Sequence, residues 1–264
     1  MPQIAGGVAF DVTLWRSHPF GPALWIKLTG CDVDEEFHVS LTFGLILFPD
    51  MTQLDLTGPF EVFSRMPEVT THLLWKTLDP VRSDRGLTII PTATFEECPA
   101  LDLVCVPGGP GQVALMEDQI VLSFLRQTAS TCRYVTSVCT GSLVLGAAGL
   151  LKGYRATTHW ASRDQLAILG AEAVDARVVF DRNRITGAGV TSGIDFALAV
   201  VAHLAGEEAA KRIQLQLEYD PAPPFSAGSP SSAGAVLTAQ VMAKSEAFQA
   251  HRREITLRAA AALA

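Results

Sequence analysis

The feature that most constrains the fold is a repeated alternation of short apolar runs with helical patterns. Three runs have the composition of buried strands, and each ends directly in a turn built from Gly, Pro, Asp or Thr: 41–48, 102–106 and 133–138. Helical patterns follow at about 55–64, 118–128 and 142–151. Strands that alternate with helices in this way predict an α/β fold with a doubly wound, mostly parallel sheet.

The ends of these runs indicate where a ligand would bind. In open α/β sheets, ligands bind at the carboxyl ends of the strands. Three turns follow such ends, at 50–55, 107–111 and 138–141. We therefore expect the side chains of these turns to meet at one edge of the sheet.

Cys139 is the strongest candidate for a reactive group. It lies between a predicted strand and a predicted helix in the sequence S-V-C-T-G, which has the spacing of a nucleophile elbow. Such a turn points the side chain toward a cleft, and the N-terminus of the following helix favours a thiolate with a lowered pKa. Gly141 permits a close backbone approach. The alternative is an ordinary buried cysteine that packs as a small hydrophobic residue.

The other two turns offer polar groups. Gly108 and Gly109 follow a strand directly, so their backbone N–H groups are candidates to bind an anion or an oxyanion, although a plain tight turn remains the alternative. Asp55 begins a helix and is a candidate proton donor and acceptor beside the thiol, with a helix cap as the alternative.

Two further residues are candidates because of their type. The hydroxyl of Thr140 is positioned to bond the thiolate or a substrate, or to cap the helix. His159 is a candidate partner for the thiol, since a Cys–His pair is a common activating arrangement. Spacing along the chain does not place the ring near the sulphur, and a structural histidine is the alternative.

Composition excludes several classes of function. The net charge is −7 and no basic stripe is present, so nucleic-acid binding is not expected. No run of about 18 apolar residues predicts a membrane-spanning helix. The five cysteines lack zinc-site spacing, so we expect no metal, and their scattered arrangement is typical of free thiols in a reducing, cytoplasmic compartment.

The first forty residues differ from the remainder. Residues 1–40 combine Gly, Pro, Trp and an acidic cluster without a steady period. We predict a poorly ordered N-terminal extension there, with an N-terminal strand docked on the core as the alternative. Residues 41–264 are predicted to form a single α/β domain.

Several motifs, taken in order, resemble the ThiJ/PfpI superfamily. They are L-I-L-F-P-D-M-T-Q-L-D, V-P-G-G-P-G, V-C-T-G, T-T-H-W and G-A-G-V-T-S-G-I-D-F. Within the superfamily, the segments D-L-T-G-P, V-C-T-G and Q-L-Q-L-E-Y-D-P-A-P-P-F resemble the isonitrile (isocyanide) hydratases. The resemblance covers about residues 41–225 and excludes 1–40.

The resemblance implies a flavodoxin-like domain, with helices on both faces of the sheet, that forms a homodimer and uses no cofactor. It implies a cysteine nucleophile at Cys139 and an acidic partner at Asp55. Gly109 and Thr140 would supply backbone N–H donors. Many peptidase-like relatives have a histidine after the nucleophile, where this chain has Thr140, and this favours the hydratase branch. His159 matches a histidine near the cysteine in several relatives.

The implied reaction is that of a hydro-lyase. The Cys139 thiolate attacks the terminal carbon of an isonitrile, Asp55 protonates that carbon, and water then releases an N-substituted formamide from the covalent thioimidate. Two alternatives stay open. One is a thiol-based stress protein that processes glyoxals or senses peroxide. The other is a regulatory ligand-binding domain, although only about 39 residues follow Phe225, too few for the usual paired helix-turn-helix module.

Overall fold

The computed structural model describes residues 40–263. The strands are β1 (Leu41–Ile46), β2 (Val69–Trp75), β3 (Val81–Arg82), β4 (Thr88–Ile89), β5 (Ala93–Thr94), β6 (Leu103–Val106), β7 (Tyr134–Val138), β8 (Arg155–Ala156), β9 (Glu172–Ala173), β10 (Val178–Asp181) and β11 (Arg184–Gly187). The helices are α1 (Gln53–Phe63), α2 (Gln112–Leu115), α3 (Gln119–Thr131), α4 (Gly141–Ala147), α5 (Asp164–Ile168), α6 (Ser192–Ala205), α7 (Glu207–Gln216) and α8 (Pro230–Ala261).

Seven strands form the central sheet in the order β10-β11-β7-β6-β1-β2-β5. Every neighbouring pair is parallel except β10 and β11. The five consecutive parallel strands from β2 to β11 have the flavodoxin-like order, which confirms the predicted fold class. The chain passes from β1 to β2 on one side and later returns to β6 on the other, so the order reverses beside β1.

Helices flank the sheet in two groups. The first group is α1, α6 and α7, in which α6 packs against both of the others. The second group surrounds α4, which contacts α2, α3, α5 and α8. Both groups are needed because β1, β6 and β7 are almost wholly buried, and a sheet with two apolar faces must be covered on each.

Aromatic rings and aliphatic side chains fill the space between the sheet and the helices. Phe43 on β1, Phe63 on α1 and Phe196 on α6 are fully buried and meet edge to face, with ring centroids 5.1 and 6.3 Å apart. These contacts fix α1 against β1, and they therefore fix the position of the first residues of α1, which reach the site described below.

The structure differs from the prediction mainly where elements are short. The helix expected at 142–151 ends at Ala147, because Gly149 adopts a φ of 77° and its N–H turns back to Gly146 O at 2.8 Å. A 3-10 turn, Trp160–Ser162, directly precedes α5, which is itself only five residues long. The pairs β3–β4 and β8–β9 are made of strands of two residues, which are too short to carry a periodic signal.

The predicted extension, residues 1–40, falls outside the described residues apart from Ser40. Within residues 40–263 no helix is both long enough and apolar enough to cross a membrane.

Candidate active site

Three turns meet at the carboxyl edge of the sheet, beside the point where the strand order reverses. Asp55 lies in the first turn of α1 and follows β1, Gly108 follows β6, and Cys139 follows β7. The Gly108 N–H donates to Asp55 Oδ2 at 3.1 Å, and the Gly109 N–H donates to Thr140 Oγ1 at 3.1 Å. These two bonds join all three turns, as expected for the switch point of a doubly wound sheet.

Cys139 occupies a backbone conformation that few residues other than glycine adopt. Its φ is 55°, at the point where β7 ends and α4 begins. Its N–H is shared between the carbonyls of Gly187 and Ala188 at 3.1 and 2.9 Å, while its carbonyl accepts from Thr158 Oγ1 at 2.8 Å and Ser142 Oγ at 3.2 Å. Strained backbone of this kind persists only when its surroundings hold it, and it is common at reactive residues.

Glycines allow the backbones around the thiol to approach this closely. A Cβ on Gly141 would lie 2.0 Å from the Val106 carbonyl oxygen, so α4 can begin against the end of β6 only because that side chain is missing. A Cβ on Gly108 would lie 2.5 Å from the Thr140 nitrogen and 2.8 Å from Asp55 Oδ2. The space between the carboxyl and the thiol-bearing turn therefore depends on Gly108.

Asp55 is fully buried and its carboxyl is adjacent to the Cys139 thiol. Burial raises the pKa of Asp55 from 3.8 to about 7; hydrogen bonding from Cys139 and from the Gly108 N–H lowers it, and the negative charge of Asp84 adds to the rise. The interaction between the Asp55 carboxyl and the Cys139 thiol is loosely aligned, because Asp55 Oδ1 has no hydrogen-bond partner among the described residues. A carboxyl with a pKa of about 7 can both bind and release a proton near neutral pH.

The cap interpretation of Asp55 is not supported by these contacts. Thr52 is the N-cap of α1, and Asp55 bonds to the glycine-rich turn after β6 instead of to the N–H groups of its own helix.

The structure reverses the predicted direction of the Cys139 pKa. Burial is the largest cause and the negative charge of Asp55 the next, and together they raise the pKa of Cys139 well above its usual 9.0. The Thr140 backbone N–H acts in the opposite direction, as the helix N-terminus was expected to do, but it is outweighed. At rest the sulphur is therefore a neutral thiol, and a thiolate forms only when a neighbouring group takes its proton.

The backbone N–H groups of Gly108 and Gly109 donate to different side chains. The Thr140 hydroxyl accepts from the Gly109 N–H, while the Gly108 N–H is taken by Asp55. Of the N–H donors implied by the family resemblance, that of Thr140 points at the sulphur, and that of Gly109 donates to the Thr140 hydroxyl. A Gly109 side chain is excluded as well, since its φ is 128° and a Cβ would lie 2.2 Å from the Thr52 nitrogen.

His159 makes no hydrogen bond to Cys139. Its Nδ1 accepts from the Ala161 N–H at 3.3 Å, so the ring caps the 3-10 turn. Burial, followed by the charges of Arg252 and Arg163, lowers the pKa of His159 to about 4, so the ring is neutral at pH 7. The contact with the cysteine comes from the preceding residue, Thr158, whose hydroxyl bonds the Cys139 carbonyl.

Two residues that the sequence analysis did not select lie close to the site. Arg252 on α8 is 5% exposed, and its charge lowers the pKa of Cys139. Gln112, which is fully buried, begins α2 just after the glycine-rich turn. The position of Gln112 beside that turn was a usable signal in the sequence, whereas nothing local connects Arg252 with the cysteine.

A comparison with known families places this arrangement in context. The profile of the DJ-1/PfpI family matches residues 43–203, which include all three turns of the site. This chain belongs to the DJ-1/PfpI family. The finding confirms the resemblance to the ThiJ/PfpI superfamily noted from the motifs.

Within the DJ-1/PfpI family, the chain is similar to enzymes with different activities. It is 55% identical to isonitrile hydratase of Pseudomonas putida over 225 residues, which cover 85% of this chain and 99% of that protein. It is 29% identical to the glutathione-independent glyoxalase DJR-1.2 of Caenorhabditis elegans over 132 residues, covering 49% of this chain and 70% of that protein.

A solved structure extends the likeness to three dimensions. The crystal structure of a ThiJ/PfpI family protein from Pseudomonas syringae superimposes with a TM-score of 0.81 at 43% identity, covering 90% of this chain and 98% of that chain.

Other reactive groups are few in the described part of this DJ-1/PfpI protein. No cluster of three or more His, Cys, Asp or Glu side chains within 40–263 is arranged to hold a metal ion. Cys98, Cys105 and Cys132 are free thiols. Burial raises the pKa of Cys98 to about 11 and that of Cys105 to about 12, so neither is activated.

Proposed function

We propose that this protein hydrates an isonitrile to an N-substituted formamide through a covalent intermediate on Cys139. The observation that carries the proposal is the pairing of the buried Asp55 carboxyl, with a pKa near 7, and the neutral Cys139 thiol at the switch point of the sheet. The similarity to isonitrile hydratase of Pseudomonas putida, over nearly the whole of that protein, supports the same substrate class.

The first half of the reaction needs one proton moved and one bond formed. The terminal carbon of an isonitrile can accept both a nucleophile and a proton. Asp55 takes the thiol proton and delivers a proton to this carbon, while the sulphur lone pair forms the C–S bond. The product is a neutral thioimidate, R–N=CH–S–Cys139. A resting thiol suits this step, because the reaction consumes its proton and leaves no net charge in a buried pocket.

The second half releases the enzyme. Asp55 removes a proton from water as the oxygen adds to the thioimidate carbon, and the same proton passes to the nitrogen. Asp55 then takes the proton of the new hydroxyl group as the C–S bond breaks, and the electron pair of that bond returns to sulphur. The formamide departs, and Asp55 returns the proton to the thiol. Covalent catalysis thus divides one hydration into two steps, each served by the same carboxyl.

The neighbouring groups hold this geometry. We infer that the Thr140 N–H stabilises charge on the sulphur and that the Thr140 hydroxyl, on turning from Gly109, meets the substrate. Gly108 keeps the space open, and His159 lines the site as a neutral ring without exchanging a proton.

Para-nitrophenyl isocyanide gives a direct test, because the formamide product absorbs differently. Wild-type protein should produce the formamide, whereas Cys139→Ala should produce none. Cys98→Ala is the matched control, since Cys98 is a free, half-buried thiol that belongs to none of the three turns, and it should retain wild-type turnover. Turnover by Cys139→Ala comparable to wild type would contradict the mechanism.

A glyoxal-processing activity is the second candidate, supported by the likeness to the glyoxalase of Caenorhabditis elegans. A peroxide sensor is disfavoured, because a thiol with a raised pKa oxidises slowly. Parallel assays with methylglyoxal and the isonitrile separate the two activities: faster consumption of methylglyoxal, lost in Cys139→Ala, would replace hydration as the proposed function.

We further propose that the protein works in the cytoplasm as a homodimer. Free thiols at Cys98, Cys105, Cys132 and Cys139 are consistent with a reducing compartment. Exposed apolar side chains along α8, among them Val236 at 74% exposure, provide a surface for a second copy. Sedimentation of the full chain at twice its mass of 28.2 kDa would support the dimer, and sedimentation at that mass would contradict it.

The regulatory alternative receives no support from the C-terminal segment. The helix α8 is interrupted at Gly234, where φ is 78° and ψ is 166°, and the part before this break is about one turn long, too short to be one helix of a helix-turn-helix pair.

A further inference from the structure

Arg252 is a buried cation without a carboxylate partner among the described residues. It is 5% exposed and forms no ion pair, whereas its neighbours on α8, Arg253 and Arg258, pair at the surface with Asp164 and Glu117. Removing a charge from water is costly unless an opposite charge or several hydrogen bonds compensate it. Hydrogen bonds alone compensate the burial of Arg252, so its positive charge is left unpaired and can act on a neighbouring group.

Neutral oxygens hold the guanidinium in place. Nη1 donates to Ser162 Oγ at 2.9 Å and to Gln249 Oε1 at 3.1 Å. With the Gln112 amide oriented to satisfy its neighbours, Nε donates to Gln112 Oε1 at 2.8 Å. The centroid of the Phe248 ring lies 4.5 Å from the guanidinium carbon. Nη2 bonds to no residue in the described part of the chain, so the charge is held rigidly but is not neutralised.

These contacts connect the two loops on either side of the cysteine. Gln112 directly follows the turn that carries Gly108 and Gly109, and Ser162 closes the 3-10 turn capped by His159. The charge of Arg252 reaches both the thiol and the imidazole: it favours the thiolate of Cys139, and it disfavours the imidazolium of His159. The helix α8 thus brings a fixed positive charge to the site from outside the three turns.

We propose that Arg252 is a positioning residue for the hydration reaction, whose uncompensated charge stabilises the Cys139 thiolate that forms when the C–S bond breaks. The inference rests on the proposed function, because it takes Cys139 as the nucleophile. In the breakdown step the bonding pair of the C–S bond becomes a lone pair on sulphur, so negative charge grows there beside Asp55. A fixed cation favours that transition state without needing to reorganise.

The effect of the Arg252 charge on the thiol can be tested separately from the effects of other charges. The charged groups that act on Cys139 are Asp55, from α1, and Arg252, from α8. The titratable groups affected by Arg252 are Cys139 and His159, and Arg163 also acts on the latter. Loss of Arg252 leaves the thiol with only the repulsive charge of Asp55 among the described residues.

The test compares Arg252→Met, which keeps the apolar stem, with Arg252→Lys, which keeps the charge. Alkylation of Cys139 by iodoacetamide, followed by peptide mass spectrometry across pH 6–10, reports thiolate formation. Arg252→Met should slow alkylation at pH 8 about tenfold, the effect of one pKa unit, while Arg252→Lys should stay within about threefold of wild type. Arg253→Met, at an exposed position on the same helix, is the control and should not alter the profile.

Turnover supplies the second readout. Arg252→Met should lower kcat for the isonitrile about tenfold or more with little change in KM, and Arg252→Lys should restore most of kcat. Equal losses in the Met and Lys variants would indicate a packing role and overturn the proposal. So would an alkylation profile for Arg252→Met that matches wild type.

Gln112→Glu keeps the proposal testable if Arg252→Met does not fold. This nearly isosteric change places a carboxylate against the Arg252 Nε, so the fold is preserved while the charge is neutralised in place. It should slow alkylation of Cys139 as Arg252→Met does, and an unchanged rate would overturn the proposal. Alkylation involves no isonitrile, so a failure of hydration by the wild type refutes the proposed function alone.

Discussion

Replacing Asp55 with asparagine should abolish hydration and, at neutral pH, make the protein more stable. Asp55 is fully buried, and its pKa in the folded protein is raised from 3.8 to about 7. A carboxyl with a raised pKa binds its proton more tightly in the folded state than in the unfolded state. The wild type therefore loses stability as pH rises from about 4 to about 7, and the full cost of ionising Asp55 is present above pH 7.

The pKa difference sets the size of the effect. Each pKa unit corresponds to about 1.4 kcal/mol, so the interval from 3.8 to about 7 corresponds to about 4 kcal/mol. An asparagine does not ionise, and its side-chain oxygen can still accept from the Gly108 N–H. Asp55→Asn should then exceed the wild type in free energy of unfolding by about 4 kcal/mol more at pH 8 than at pH 4.

Urea unfolding followed by tryptophan fluorescence measures this difference at a series of pH values. The quantity to compare is the free energy of unfolding of Asp55→Asn minus that of the wild type, because ionisable groups on which Asp55 does not act contribute equally to both. Asp79→Asn, the same substitution at an exposed position, is the matched control. A pH-independent difference for Asp55→Asn would refute the burial argument, and wild-type turnover would remove Asp55 from the chemistry.

The glycines give two further predictions. Gly108→Ala should lower kcat/KM at least tenfold, because the new methyl group would lie 2.8 Å from Asp55 Oδ2, while circular dichroism should show an intact fold. Gly141→Ala should destabilise the protein by about 3 kcal/mol or more in urea unfolding, since its methyl group would lie 2.0 Å from the Val106 carbonyl oxygen. Gly228→Ala, with nothing within 4 Å of the new methyl group, should leave both activity and stability unchanged, and losses equal to those of Gly141→Ala would contradict the steric argument.

The fold followed from local signals. Continuous apolar runs predicted β1, β6 and β7, and the turn residues after them predicted the edge where ligands bind. These signals work because strand burial and turn chemistry depend on neighbours in sequence. The early end of α4 at Ala147 was not predicted, since it depends on the dihedral angles of Gly149, which leave no periodic trace.

The candidate residues were likewise visible in sequence, but their relations were not. Cys139, Asp55 and Gly108 each follow a strand, which was enough to nominate them. The bond from the Gly108 N–H to Asp55 Oδ2 joins residues 53 positions apart, and only the strand order brings them together. His159 shows the converse: a residue of the right type lies near the site, but its ring bonds its own turn.

By itself, the sequence determined an α/β sheet with a cysteine on a strained turn, because strand burial, glycine turns and the position of Cys139 are properties of short segments. Only the tertiary structure decided the protonation chemistry. The helix N-terminus favours a thiolate, but burial and the charge of Asp55 outweigh it and keep the sulphur protonated. The reason is that desolvation and Coulomb interactions depend on everything that surrounds a group, including Arg252 from a helix that no local pattern connects with Cys139.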